Sequence, residues 1–348
     1  MDHNTLVNQQ MDDIQNSTLG SVEGKESPMT LQPKDFSEYV GQERAKMILS
    51  DAILSAKKRK TSVSHILISS IGPGVGKTTL ATLMAEKIDS KIVSRVASSI
   101  EKYEDIYDMF GEIKHCSNPV IIIDEIHRIK HSLAETIYLA MENPNAEFKI
   151  KRSIGALCYP AVRAGNFTLV GLTAGQQGMM PKPFLDRFDV KITLQKYKEE
   201  EIVEIVKKSA KKINVSISID VAKAIAKRAI FTPRIANSLL KRLRDYTLAR
   251  NIKSITIGTL KNVFTMLGID QIGLDDTARL VLESLADSNT CSYGLNSLAS
   301  ISNIDIDTLK NLIEPQLLMH GLIMYMPRGR AITEKGLRHI GREDRIPT

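Results

Sequence analysis

Tryptophan is absent from the 348-residue chain and aromatic side chains make up only 5% of it. Stacking of bases on aromatic platforms is therefore not an obvious strategy for this protein. Cysteine is scarce: Cys116, Cys158 and Cys291 are scattered without C-x-x-C spacing. That scarcity argues for a reducing compartment and against a disulfide frame or structural metal. His65, His115, His131, His320 and His339 also lack metal-ligand spacing, and they read as ordinary histidines. No apolar run approaches the roughly 18–20 residues that span a membrane. The N-terminus shows no basic-then-apolar signal pattern. A cytoplasmic location without membrane partners is expected by elimination.

The length predicts two or three domains with real cores. Hydrophobic and charged fractions of 43% and 25% are those of an ordinary globular chain. The net charge of +7 is compatible with nucleic acid without requiring it. The excess is localised: residues 196–250 hold 14 Lys and Arg against 6 Asp and Glu. Lys207, Lys208, Lys211 and Lys212 follow Glu199, Glu200, Glu201 and Glu204 at helical spacing, so solvated helix faces account for the patch. The basic run at residues 57–60 reads as a charged helix end, favourable to the dipole.

The most informative stretch is HILISSIGPGVGKTT, residues 65–79. A short apolar run is followed by a glycine-rich turn, and Lys77-Thr78-Thr79 then opens a helix. Strand, glycine loop and helix in that order are the context of a phosphate-binding loop. Loop and helix N–H groups point at the phosphates, with Gly74 and Gly76 allowing close approach. Lys77 adds a cation, and the Thr78 hydroxyl can ligate Mg²⁺. One position departs from G-x-x-x-x-G-K-[ST]: Ile71 stands where a glycine is asked for.

Taken in order, residues 1–30 are polar without apolar period and read as a disordered tail. Strands are expected at residues 65–68, 91–96, 119–123 and 167–173, with helices between them. This alternation predicts a doubly wound parallel α/β domain over residues 31–197. The stretch 143–166 reads as irregular. An all-helical unit follows over 198–268, outlined by Ile202, Ile205 and Val206 and by Leu239, Leu240 and Leu243. In the last unit, 269–348, helices near 278–286, 295–300 and 306–319 precede a strand, a basic turn and a strand. That order looks like a winged helix.

Asp124-Glu125 ends an apolar strand 47 residues beyond Lys77. Asp124 would hold Mg²⁺ and Glu125 would orient and polarise the attacking water. An acidic strand end at a helix N-terminus is the competing structural explanation. Thr173 ends the neighbouring strand, where its hydroxyl could reach the γ-phosphate or that water. Arg187, in Pro183-Phe184-Leu185-Asp186-Arg187-Phe188, is placed after the sheet's last strand, where an arginine finger would reach a neighbouring subunit. Arg234, after Thr232-Pro233, could approach the phosphates from the helical unit. His127 and Arg128 read as capping and packing residues. Arg328 and Arg330 flank Gly329 in the expected wing, where a basic tip would ride a phosphate backbone or enter a groove.

These parts, in this order, resemble the RuvB family of AAA+ motors over residues 31–341. The carriers are Tyr39-Val40-Gly41-Gln42-Glu43, the phosphate loop, Ile123-Asp124-Glu125-Ile126-His127-Arg128, and Phe167-Thr168-Leu169-Val170-Gly171. Asp186-Arg187-Phe188, Thr232-Pro233-Arg234-Ile235-Ala236-Asn237, Gly273-Leu274-Asp275 and Pro327-Arg328-Gly329-Arg330 complete the match. The resemblance implies an AAA+ P-loop domain, a helical lid and a C-terminal winged-helix head in a homohexameric ring. It implies ATP hydrolysis driving Holliday junction branch migration, in recombination, repair and the SOS response. ATP and Mg²⁺ would be bound, with duplex or junction DNA, a RuvA tetramer and the RuvC resolvase as partners. By the same resemblance Lys77, Thr78 and Thr79 bind phosphates, Thr173 is sensor 1, Arg187 the finger and Arg234 sensor 2. Leu31, Gln32 and Tyr197 would line the adenine side, Glu142, Asn143 and Pro144 would lie near the nucleotide, and Arg330 would contact DNA. Departures fall at Ile71, at Gln32 and Leu185 where the family has arginine, at Tyr325 where it has a basic residue, and in the RuvA-gripping hairpin at 149–166. These departures motivate the alternative of a degenerate nucleotide-binding DNA scaffold.

Overall fold

The computed structural model describes residues 31–346 apart from 71, 149–160, 176, 177, 179, 231, 289 and 328. The stretch expected to be a tail, Ile71, Cys158 with its neighbours, and Arg328 thus lie outside the described residues. Helix α1 (Glu43–Arg59) ends on Lys57, Lys58 and Arg59, basic side chains that suit a helix C-terminus. Strand β1 (Ile66–Ser70) runs into the phosphate loop and helix α2 (Lys77–Ile88). Then come β2 (Ile92–Val96), α3 (Tyr103–Ile113), β3 (Val120–Asp124) and α4 (His131–Glu142). Two short antiparallel strands, β4 (Glu147–Phe148) and β5 (Val162–Arg163), pair within the stretch expected to be irregular. The described ends of that stretch are therefore paired, and such two-residue strands carry too little periodicity to be read from sequence.

After β6 (Thr168–Ala174) and the short α5 (Lys182–Asp186), β7 (Val190–Leu194) completes a five-stranded sheet ordered β2-β3-β6-β1-β7. All its pairings are parallel. The central strands are continuous apolar runs because helices cover both faces. Val120, Ile121, Ile122 and Ile123 are all at most 1% exposed, each worth roughly 1.5–3 kcal/mol of burial. Strand β7 was not among the expected strands. As an edge strand it alternates buried Ile192 and Leu194 with exposed Lys191 and Thr193, so it has no apolar run to betray it. Its presence corrects one placement: Arg187 precedes the last strand of the sheet instead of following it.

The helical unit comprises α6 (Glu199–Lys212), α7 (Ile219–Arg228), α8 (Pro233–Ala249) and α9 (Ile257–Met266). The Ser218 hydroxyl accepts from Val221 N–H to start α7, and Pro233 starts α8 where a missing N–H costs nothing. The last unit contains α10 (Asp276–Asp287), β8 (Ser292–Tyr293), α11 (Leu295–Ile301) and α12 (Ile306–Thr308). A π-turn (Leu309–Ile313) leads into α13 (Glu314–Met319), then β9 (Ile323–Met326), β10 (Gly329–Ile332) and α14 (Glu334–His339). Its core gathers Leu282, Leu285, Leu298, Leu309, Leu317 and Leu337. The expected hairpin gains a third strand, ordered β8-β10-β9. The architecture is thus a P-loop α/β domain, a helical lid and a C-terminal winged helix.

Candidate functional site

The sheet order creates the cleft. β6 lies between β1 and β3, with Ser69 opposite Thr173 and Ile123 opposite Gly171. The carboxyl ends of these three strands therefore bring Lys77, Asp124 and Thr173 together, at the crevice where open α/β sheets bind ligands. Helix α2 has no side-chain cap at Gly76, which leaves its first N–H groups free for an anion. Gly76 has φ 94°, and a Cβ there would come within 2.6 Å of the Tyr39 hydroxyl. Tyr39 is buried and bonds the Gly76 carbonyl at 3.3 Å, bracing the loop from beneath.

Lys77 is 8% exposed and donates to Ser70 Oγ at 2.9 Å. Burial pushes its ammonium below the ordinary lysine range, opposed by Asp124 and assisted by Arg234. An anionic ligand beside this cation would offset its desolvation. Thr78 Oγ1 donates to Asp124 Oδ2 at 2.9 Å, joining the two candidate Mg²⁺ ligands. A hydroxyl and a carboxylate form the all-oxygen donor set that suits a hard divalent cation. Thr79 follows, half-buried in the same first turn.

Asp124 Oδ1 accepts from the Glu125 N–H at 2.9 Å, and Glu125 has φ 51°. The Glu125 carboxylate pairs with Arg128 at 3.3 Å across an exposed turn. Thr173 is fully buried, and its hydroxyl lies 3.0 Å from His127 Nδ1. Burial holds the His127 imidazole below its ordinary range, favouring the neutral ring. His127 is buried, as a packing residue should be, and it is in addition the hydrogen-bond partner of Thr173. Its position three residues after Asp124 was the available signal. Only the β3–β6 adjacency gives that signal a target.

The lid closes one side. Gly74, with φ 77°, has Thr232 Cγ2 and Arg234 Cβ where its own Cβ would be. The Arg234 N–H reaches the Gly74 carbonyl at 3.4 Å, so Arg234 sits on the phosphate loop. Tyr197 is buried and shares a hydrogen bond with Tyr39, and burial pushes its hydroxyl up to about 12. The Gln32 carbonyl accepts from Lys212 of α6 at 2.6 Å, which ties that segment to the lid. Leu31 is the first described residue.

Arg187 is not among the contacts of that cleft. It forms an ion pair with Glu142, at the end of α4, and its Nε is buried without a partner. Asn143 is exposed beyond α4, and the Pro144 carbonyl accepts from Gly165 N–H at 3.0 Å. Arg187 and the segment 142–144 thus share one edge of the domain.

In the wing, Arg330 does not project freely. It forks onto Glu314 through Nε and through Nη2, the latter at 3.2 Å. Glu314 is fully buried and also accepts from the Tyr325 hydroxyl at 3.1 Å. The Arg330 guanidinium lies 5.3 Å from the Tyr325 ring centre, in cation–π range. Gly329 is required between them, because a Cβ would collide with the Tyr293 carbonyl.

Three family models match consecutive parts of the chain. The Holliday junction DNA helicase RuvB P-loop domain covers residues 31–194, the RuvB AAA lid domain 197–270, and the RuvB C-terminal winged helix domain 271–341. The Holliday junction branch migration complex subunit RuvB of Pseudothermotoga lettingae is 36% identical over 327 residues, 93% of each chain. The subunit of the same name from Lactobacillus helveticus is 34% identical over 329 residues, again 93% of each. The structure of the Thermotoga maritima RuvB Holliday junction branch migration motor superposes with a TM-score of 0.78 at 33% identity, covering 91% of this chain and 99% of that one. With a phosphate loop, an acidic strand end, a lid arginine and a winged head in this order, the chain belongs to the RuvB family.

Proposed function

We propose that the chain is an ATP-hydrolysing DNA motor that drives Holliday junction branch migration. The observation that carries this reading is the convergence of Lys77, Thr78, Asp124, Glu125 and Thr173 at adjacent strand ends, with Arg234 laid on the phosphate loop. Lys77, Thr79, the N–H groups at Gly74 and Gly76, and the α2 N-terminus bind the phosphates. Thr78 and Asp124 hold Mg²⁺, which when bound offsets phosphate charge. Glu125 leaves Arg128 to orient the attacking water, and Thr173 fixes that water or the γ-phosphate. Leu31, Gln32 and Tyr197 flank the base.

Arg187, paired with Glu142, serves a neighbouring subunit's nucleotide, with Asn143 and Pro144 near that nucleotide; the working form is therefore an oligomer, and by likeness to the family a homohexameric ring. The functional units are the ATPase at 31–197, the lid at 198–268 and the head at 269–348, preceded by the segment 1–30. The head carries Arg328 and Arg330 to DNA. A RuvA tetramer docks on the segment 149–166, with RuvC as a further partner, and the protein works in the cytoplasm. Among the described residues no helix is long and apolar enough to cross a membrane.

Steady-state ATP turnover with and without junction DNA tests the reading. Stimulation by the junction is expected, and Lys77→Ala or Glu125→Gln lowers turnover by at least about a hundredfold. ATP binding without turnover under either condition would instead leave a DNA scaffold whose motor has decayed.

A further inference from the structure

The segment 306–319 begins and ends as α-helix but is interrupted by the π-turn, in which Glu314 N–H reaches back five residues to the Leu309 carbonyl. Pro315 explains the interruption. It has no N–H for the carbonyl four residues earlier, and its ring would press on that carbonyl, so the helix widens by one residue. The widening gives the segment three differently directed faces. Leu309, Ile313 and Leu317 enter the core of the head. Glu314 turns inward to Arg330 and Tyr325. Leu312, Pro315 and Met319 face a largely apolar cavity of 440 Å³ whose opposite wall includes Gly72, Gly74 and Arg234. One short element therefore lines a cavity beside the phosphate loop on one side and holds the wing arginine on the other.

Glu314 is a charged group with no exposed surface, so it cannot give up Arg330 without being left buried and unpaired. Breaking such a pair leaves an uncompensated buried charge and costs far more than losing a surface ion pair. Arg330 consequently follows wherever the 309–319 segment moves. We propose that this segment is a direct link between nucleotide and DNA: Leu312, Pro315 and Met319 complete the wall beside the phosphate loop, and Glu314 positions Arg330. The link rests on the reading that nucleotide binds at Lys77 and that Arg330 meets DNA. Occupancy of the cleft shifts the apolar face, and the Glu314–Arg330 pair carries that shift to the wing. Coupling of this kind is reciprocal, so DNA on the wing changes nucleotide affinity by the same factor.

The test uses the full chain, a fluorescent 20-base-pair duplex, and a non-hydrolysable ATP analogue. In the wild type the analogue is expected to change duplex affinity by about fivefold or more, the lower end of typical coupling. The Leu312→Ala/Met319→Ala double variant should shrink that change to below about twofold while keeping duplex affinity without nucleotide. Glu314→Gln should weaken duplex binding and abolish the change, while nucleotide affinity measured without DNA stays that of the wild type. If Glu314→Gln does not fold, the double variant decides alone, because Leu312 is half exposed and outside the head core. A double variant with the full wild-type change overturns the link. So does a wild type that binds both ligands with no change at all. A wild type that binds neither overturns the nucleotide and DNA assignments themselves, and the link with them.

Discussion

Thr173 contributes a hydroxyl with one proton and two lone pairs, and His127 settles how they are spent. A neutral imidazole meeting Thr173 through Nδ1 at 3.0 Å holds the hydroxyl rotor in one orientation. Thr173→Val should therefore lower kcat by at least about tenfold, about 1.4 kcal/mol of barrier, with nucleotide affinity little changed. His127→Ala should show a smaller loss of the same kind, and turnover against binding measured on both variants checks the split. Equal kcat in His127→Ala and the wild type would leave His127 with packing alone. The sequence pointed to Thr173 by its strand end. It gave His127 no partner, because a histidine in a short helical turn finds one only when two strands distant in sequence lie side by side.

Strands β1 and β6 are joined by more than their ladder. The Leu169 N–H donates to His65 Nδ1 at 2.9 Å, so that nitrogen must be unprotonated. Burial lowers the His65 pKa, and it lowers those of His127 and His320 in the same direction. A base whose pKa is lower folded than unfolded binds more protons when unfolded. Its contribution is fully present above the unfolded value of about 6.5 and is lost as pH falls through the folded value. Urea midpoints should thus decrease from pH 7.5 to pH 5.5. His65→Asn, which keeps an acceptor but does not titrate, should flatten the curve, and an unaltered slope would remove His65 from this account. At this scale the apolar strands β1, β3 and β6 were legible as runs of buried residues. β7 was not, because an edge strand with one wet face shows only a weak alternation.

At the scale of the molecule, Arg187 and Lys77 serve different places. Lys77 is buried in the cleft, whereas Arg187 is held by Glu142 on the edge that carries 142–144. A site assembled from two copies follows if that edge meets a neighbour's cleft. Arg187→Ala and Lys77→Ala should each lose roughly 10³-fold or more in turnover. An equimolar mixture should then recover about a quarter of wild-type turnover, since each variant supplies what its neighbour lacks. A mixture no more active than the two variants apart would place Arg187 outside the reaction.

The local pieces were already set by the order of residues. GPGVGKTT can only turn tightly and expose its N–H groups, VIIID can only be a buried strand ending in a carboxylate, and Pro233 after Thr232 can only start a helix cleanly. These follow from backbone sterics and side-chain hydrophobicity within a few residues. What the pieces do to one another came from the packing of the folded chain. It inserted β6 between β1 and β3, set His127 against Thr173, and put Arg187 on Glu142. It also closed the fork of Arg330 on a buried Glu314, on the same short segment whose Leu312 and Met319 line a cavity beside the phosphate loop. Those pairings depend on strand order and on where a buried charge finds its partner, and neither is written in any one stretch of the chain.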